Sequence, residues 1–376
     1  MFCPLRILVN TLCHIRYRAI IVINDTIMVN TANNKQALSV LINRITFMNK
    51  PKFTVTVLGF DQALASAITG ALDVFAFAGI SWQRIHKLPT SPQFKVQLAS
   101  HHGQAFLCSN QVTLQPNIAI EDVSHTDILL IPTIGGDIDQ VLIETQPLLV
   151  HIKRLQKVGA DIAANCTGTF LLANTGLLTN KVATTHWGYA DKFNAMFPSI
   201  NLQPEKMVTQ DDAVYCAGGG MAWIDLSILL IERYCGHQVA SDTAKSHVLD
   251  VSRTSQTIYA SSRKRHFHSD KDIMAVQSFL EKHLRNKVTI SDVAARHNMT
   301  ERTLIRRFKN ACDTTPGQYL QSLRIEQARK LLETSSTPLE SLISEVGYED
   351  LSSFTRLFKK TTGMSPSQYR AKFKRN

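Results

Sequence analysis

Two groups of residues have types and spacing that could do chemistry. The first centres on Cys166, which stands in Asn165-Cys166-Thr167-Gly168 between a strand-like run and a helical run. A strand–nucleophile–helix turn lifts a side chain to the carboxyl edge of a sheet. The same turn puts it at a helix N-terminus, where the dipole favours a thiolate. His186, in Thr184-Thr185-His186-Trp187, is a partner for it. Such a Cys–His pair can attack a carbonyl. Gly136 and Thr167 offer backbone N–H groups for an oxyanion or a ligand carboxylate, with Gly135 beside them.

The second group is basic and occurs twice. Leu304-Ile305-Arg306-Arg307-Phe308-Lys309 returns fifty residues later as Phe354-Thr355-Arg356-Leu357-Phe358-Lys359, and Thr315-Pro316-Gly317-Gln318-Tyr319 returns as Ser365-Pro366-Ser367-Gln368-Tyr369. One offset held over two motifs indicates a duplicated structural unit. Helical spacing turns Leu304 and Phe308 to a core and leaves Arg302, Ile305, Arg306 and Lys309 outward; in the second copy Phe354 and Phe358 are core and Ser352, Ser353, Thr355, Arg356 and Lys359 are outward. An arginine on each helix can pair bidentately with guanine, at about 1–3 kcal/mol of discrimination per good contact. Lys309, Lys359 and backbone N–H groups at the helix starts are expected to grip phosphates.

Charge supports this division. The chain carries +11 overall, and residues 253–376 hold 23 Lys and Arg against 12 Asp and Glu, while residues 1–252 hold 18 of each. A basic segment on a neutral body is the footprint of a polyanion binder. The seven cysteines, Cys3, Cys13, Cys108, Cys166, Cys216, Cys235 and Cys312, form no CxxC pair, which speaks for reduced thiols and against structural zinc. No apolar run reaches the ~20 residues that span a bilayer. His101-His102-Gly103 has ligand-type side chains but no evident third ligand, so it reads as a surface loop and no metal site is expected. Gly218-Gly219-Gly220 lacks the Lys-Ser/Thr ending of a phosphate loop and reads as a tight turn with close helix packing.

The elements that must position these residues follow from periodicity. Phe53–Leu58, Phe94–Ala99, Asp127–Pro132 and Asp161–Asn165 read as strands, with a further one at Ala213–Cys216; Ala63–Ala78, Pro147–Val158, Gly168–Thr175 and Ala222–Tyr234 read as helices. Their alternation predicts a mostly parallel sheet flanked by helices, of flavodoxin-like class. Ligands bind such sheets at the carboxyl ends of strands. Beyond residues 251–270, an exposed linker with the cluster Arg263-Lys264-Arg265-His266, residues 271–376 read as all-α with two helix-turn-helix units. There, Ser291 is expected to cap Asp292–His297, Thr300 to cap Glu301–Asn310, Asp350 to start Leu351–Lys360 and Ser365 to cap Pro366–Phe373. Asn298 and Gly347 make the left-handed turns. Residues 1–47 fit this plan poorly, apart from a brief strand at Ile20–Ile23. Met48 is expected to be the initiator, with the preceding segment an over-extended frame or a disordered arm.

Two resemblances sharpen the reading. Ala164-Asn165-Cys166-Thr167-Gly168, Ala173-Asn174-Thr175-Gly176-Leu177-Leu178 and Ala183-Thr184-Thr185-His186-Trp187 resemble the class I glutamine-amidotransferase-like fold of the PfpI-type superfamily, in the version fused to AraC-type regulators. Val346-Gly347-Tyr348 and the run from Phe354 to Tyr369 resemble the AraC/XylS DNA-binding domain. The first resemblance implies a carboxylate on the helix after the first strand, near the cysteine. Here that helix reads Ala63-Leu64-Ala65-Ser66-Ala67-Ile68-Thr69-Gly70 and holds no acid; Asp61 and Asp73 are badly placed. Cys166 and His186 are therefore expected to be vestigial, and Gly135, Gly136, Cys166, Thr167 and His186 to form an effector pocket in residues 48–250. The resulting expectation is a cytoplasmic, homodimeric transcriptional regulator, an activator, that binds double-stranded promoter DNA, a small-molecule effector and RNA polymerase, with no cofactor and no enzymatic activity. The alternatives are an active Cys-dependent amidase, peptidase or glyoxalase with a DNA-binding tail, and a nonspecific nucleic-acid-binding protein.

Overall fold

The structure, a computed structural model, describes residues 51–250, 253, 255–257, 259 and 270–374, and the backbone of Ile20–Ile23 and Thr26–Val29. The expected strand Ile20–Ile23 forms and pairs with Thr26–Val29 in an antiparallel hairpin. Met48 and the Arg263–His266 cluster lie outside the described residues. The chain divides into two compact units, Met1–Thr254 and Ser255–Asn376.

In the first unit seven of the described strands make one sheet, in the order Val208–Asp211, Val214–Ala217, Asp161–Asn165, Ile128–Ile131, Phe53–Leu58, Phe94–Ser100, Ile118–Ala119. Every neighbouring pair is parallel except Val208–Asp211 with Val214–Ala217. Phe53–Leu58 lies inside the sheet, between Ile128–Ile131 and Phe94–Ser100, and Val55, Val57 and Leu58 are fully buried, as a continuous β-branched and apolar run should be. Its one buried hydroxyl, Thr56, finds Thr126 Oγ1 at 2.9 Å. Asp161–Asn165 begins on a buried carboxylate that accepts from Tyr234 Oη (2.9 Å) and Arg233 Nε (3.2 Å).

The expected helices shorten at their ends. Ala63–Ala78 is helical over Ala65–Ala76, because Ala63 bridges to Ile134 and the Leu64 N–H donates to Thr133 O. Pro147–Val158 is helical over Leu149–Lys157, after a 3-10 turn at Gln146–Leu148. Helices at Ser81–Ile85, Ile138–Glu144, Ala190–Met196 and His237–Ser246 were not expected; three of them are seven residues or shorter, too short to show a clear period.

The second unit is all helical among the described residues: Lys271–Lys282, Ile290–Arg296, Glu301–Cys312, Pro316–Thr334, Leu339–Glu345, Leu351–Thr362 and Pro366–Phe373. It holds two separate cores. One gathers Ile273, Val276, Leu280, Val293, Leu304 and Phe308; the other gathers Leu342, Ile343, Val346, Phe354, Phe358 and Tyr369. The long helix Pro316–Thr334 serves both, giving Leu320 and Leu323 to the first and Ile325, Ala328 and Leu332 to the second. Its Arg324 donates to Leu284 O (2.8 Å) and Asn286 O (2.9 Å) and lies over the Tyr348 ring, which ties the halves together.

Two expectations need correction here. Thr289, not Ser291, caps Ile290–Arg296, its hydroxyl accepting from the Asp292 N–H at 3.1 Å. Packing decides between the two candidate caps, because Ile290 packs against the first core and so belongs inside the helix. The linker is also not exposed throughout. Gln256 is buried and the Thr257 carbonyl accepts from Arg329 at 2.9 Å. Asp270 caps Lys271–Lys282 and pairs with Arg307.

Candidate nucleic-acid interface and sensor site

The two outward-facing helices are built alike. Asn298 (φ 53°) and Gly347 (φ 79°) make the left-handed turns. Thr300 then caps Glu301–Cys312 and Asp350 caps Leu351–Thr362. One residue separates Asn298 from its cap and two separate Gly347 from its own, so the extra residue of the second copy lies in the turn. Past the caps the copies run in register. Leu304, Phe308 and Cys312 are buried, as are Phe354, Phe358 and Thr362; Arg306 and Lys309 are exposed, as are Arg356 and Lys359; Ile305 and Thr355 are half-buried. Arg302, Ser352 and Ser353 are exposed too. Arg302, Ile305, Arg306 and Lys309 line one open groove with Glu301. Each residue expected at the DNA face thus reaches the surface of its helix.

Arg307 does not belong to that face. It donates to Asp270 (2.6 and 3.1 Å) and Asp272 (2.9 Å) and locks Glu301–Cys312 to the first helix of the unit. Its counterpart Leu357 packs against the second core instead.

Some amides at the helix starts are already engaged. The Thr303 N–H donates to Thr300 Oγ1 (3.2 Å), and the Ser352 and Ser353 N–H groups donate to the Asp350 carboxylate (3.4 and 2.7 Å). These amides are satisfied by their own caps and are not open to phosphate. Hydrogen bonds from the Ser353 side chain and N–H hold Asp350 below the usual carboxylate range, so the second start presents a negative charge and the first a neutral hydroxyl.

In the first unit Cys166 sits at the expected elbow with φ 57° and is buried. Its N–H donates to Ala217 O (2.9 Å) and its carbonyl accepts from Thr185 Oγ1 (2.7 Å). Thr167 is buried and its hydroxyl donates to Ile134 O (2.7 Å). His186 packs against Gly219, where a Cβ would come within 2.3 Å of the ring, so the glycine run there makes room for the imidazole. The His186 Nδ1 accepts from the Gly188 N–H at 2.9 Å. That bond assigns the proton of the neutral ring to Nε2. Burial pushes the His186 pKa down. Among the described residues no hydrogen bond joins this ring to Cys166 Sγ. A ring whose acceptor nitrogen is already engaged is a poor general base for a thiol.

The glycine pair is a correction. Both the Gly135 and the Gly136 N–H donate to Gln62 O, at 2.8 and 3.2 Å, so neither is open to a ligand. A cavity of about 160 Å³ lies instead at the carboxyl ends of Phe53–Leu58 and Phe94–Ser100, lined by Asp61, Ser100, His101, Phe106 and Glu144 among others. The remaining described thiols are chemically quiet: burial pushes Cys216 up to about 12, Cys235 and Cys312 up to about 11, and Cys108 upward.

The class this geometry defines is an α/β domain joined to a double helix-turn-helix. The DJ-1/PfpI family matches residues 58–233 and a helix-turn-helix domain family matches residues 293–372, so the chain is a fusion of a DJ-1/PfpI domain with an AraC-type helix-turn-helix domain. It is similar to the HTH-type transcriptional regulator CdhR of Pseudomonas aeruginosa, 28% identical over 279 residues that cover 74% of this chain and 82% of that one. It is also similar to the isonitrile hydratase of Pseudomonas putida, 27% identical over 214 residues, 52% of this chain and 86% of the enzyme. Among solved structures, DJ-1beta of Drosophila melanogaster matches with 19% identity and a TM-score of 0.45, over 53% of this chain and 98% of that one. No described helix is long and apolar enough to cross a membrane.

Proposed function

We propose that the chain is a sequence-specific DNA-binding transcriptional regulator that reads double-stranded promoter DNA with the helices Glu301–Cys312 and Leu351–Thr362. The observation that carries this is the duplicated exposed face, Arg306 and Lys309 on one helix and Arg356 and Lys359 on the other, set on matching buried frames. Arg302, Ile305, Ser352, Ser353 and Thr355 complete the contact set. Competition binding tests it: at matched salt the protein should prefer one promoter fragment over random DNA by about a thousandfold or more. Equal affinity would support a nonspecific binder instead.

The first unit senses a small-molecule effector and mediates homodimerisation in this proposal. Effector binding biases DNA affinity only through different affinities for two conformations of the chain. Cys166, Thr167 and His186 contribute to effector recognition without catalysis. This is supported by the run Ala63–Gly70, which holds no acid, Asp73 lying a full turn further along the helix Ala65–Ala76, and by the engaged Nδ1 of His186. The regulator acts in the cytoplasm as an activator that contacts RNA polymerase. A second reading, Cys-dependent catalysis of the amidase, peptidase or glyoxalase kind, draws on the similarity to isonitrile hydratase. Cys166→Ala separates the two. Loss of a hydrolytic or dehydratase activity measured on the intact protein supports catalysis, whereas an effector response that survives without any such activity supports sensing.

A further inference from the structure

The sequence shows two adjacent histidines and no third ligand; the fold brings the rest. His101 and His102 form the 3-10 turn that closes Phe94–Ser100. Glu121 sits in the turn Ile120–Asp122, which closes the neighbouring parallel strand Ile118–Ala119. His151 projects from the helix Leu149–Lys157. These elements bring His101 Nε2, His102 Nδ1 and His151 Nε2 to 3.4, 3.5 and 3.8 Å from one oxygen, Glu121 Oε1. That oxygen is buried and has no hydrogen-bond partner, while Oε2 accepts from the His102 N–H at 3.1 Å.

A buried carboxylate oxygen ringed by three imidazole nitrogens, none of which hydrogen-bonds to it, is left without a hydrogen-bond partner. Ligands at ~2.0–2.2 Å from a tetrahedral ion stand about 3.4 Å apart; His101, His102 and Glu121 offer ligand atoms that all lie within 4.8 Å of one another, and His151 approaches the same carboxylate oxygen from the adjacent helix. We propose that His101, His102, Glu121 and His151 form a binding site for a divalent transition-metal ion of the zinc class.

The His101 and His102 rings lie 3.8 Å apart, centroid to centroid, a contact that two imidazolium cations would oppose. His102 adopts φ 54°, an uncommon backbone for a non-glycine residue that fixes its ring beside that of His101. Arg154 is a nearby cation that acts against the ion. Its guanidinium is committed to Val123 O and Ile120 O, where it holds the Glu121 turn. Carboxylate and imidazole ligands without thiolate favour zinc, copper or nickel over calcium or magnesium. His101 also lines the 160 Å³ cavity, so an ion here would fix one wall of that space.

Titration of the chelator-treated full-length protein with Co(II) tests the site. Visible absorption of a nitrogen- and oxygen-ligated ion should saturate at one Co(II) per chain, without thiolate charge-transfer bands, and Zn(II) should displace it. Glu121→Gln and His151→Asn should each weaken binding by about tenfold or more, while His125→Asn and His237→Asn, at exposed histidines paired with one acid each, should leave it unchanged. Zn(II) should raise the melting temperature of the wild type and not of Glu121→Gln. No stoichiometric binding by the wild type would overturn the proposal. So would equal affinity in folded Glu121→Gln and His151→Asn, or bands showing thiolate ligation.

Discussion

Residues 304–312 and 354–362 repeat one alternation of buried and exposed positions, yet the residues carried on that frame differ. Where packing constrains the chain, the copies agree. Phe308 and Phe358 are both fully buried, and each contacts a tyrosine ring, Tyr319 or Tyr369, at 5.4 Å. Each tyrosine hydroxyl donates to a glutamate, Glu281 at 3.0 Å or Glu333 at 2.7 Å. Where packing does not constrain it, they part: Arg302 against Ser352, Ile305 against Thr355, a neutral Thr300 cap against an anionic Asp350 cap. A duplicated unit with one packing pattern and two different faces is expected, on the function proposed above, to read two different sequences.

The largest effect expected from breaking this comparison is in the cores. Phe308→Ala and Phe358→Ala should each cost about 3–5 kcal/mol. Since the cores are separate clusters, hydrogen exchange should show Phe308→Ala loosening mainly residues 271–320 and Phe358→Ala mainly residues 325–373. Equal loosening of both halves by either change would mean one cooperative unit.

The turns come next. At Gly347 a Cβ would lie 2.7 Å from Leu284 O in a left-handed backbone, so Gly347→Ala should destabilise the second half by about 1–3 kcal/mol. Asn298→Gly should change the first half by less than about 1 kcal/mol, because Asn already tolerates this conformation. Urea midpoints followed by far-UV circular dichroism check both.

The caps are a smaller lever. Thr300→Ala should cost about 1 kcal/mol of helix stability. Asp350→Asn removes the charge at the second start, and should tighten binding to any DNA at low salt while leaving base preference unchanged. Fluorescence anisotropy across a salt series reads this.

The smallest expected effect is with pH. Asp270, held down mainly by its hydrogen bond from Arg307, and Asp350 both have folded values below the unfolded one. Their contribution is therefore present above the unfolded carboxylate value of about 3.9 and is lost as pH falls through the lower folded values. Acid unfolding of the helical unit should begin below about pH 4, with Asp350→Asn flattening the profile.

Much of this was legible in the sequence because it is local or periodic. The repeat, the left-handed Asn298 and Gly347, the Thr300, Asp350 and Ser365 caps, and the strands Phe53–Leu58 and Asp161–Asn165 all follow from short-range preference. The elbow at Cys166 was legible for the same reason. What sequence reading missed depends on partners distant in the chain. Gly135 and Gly136 look like open donors until the Gln62 carbonyl, more than seventy residues away, takes both. His101 and His102 look like a bare loop until Glu121 and His151 close on them. Thr289 displaces Ser291 as a cap only because Ile290 has a core to enter.

Base-resolved binding of Arg306→Ala and Arg356→Ala tests the central claim most directly. Affinity for the preferred site and for each single-base variant of it would be measured at fixed salt. Each substitution should relax preference at its own short run of base pairs by about 1–3 kcal/mol, and the two runs should differ in sequence and position. Uniform loss of affinity across all variants, or the same positions relaxed by both substitutions, would contradict two unequal readers.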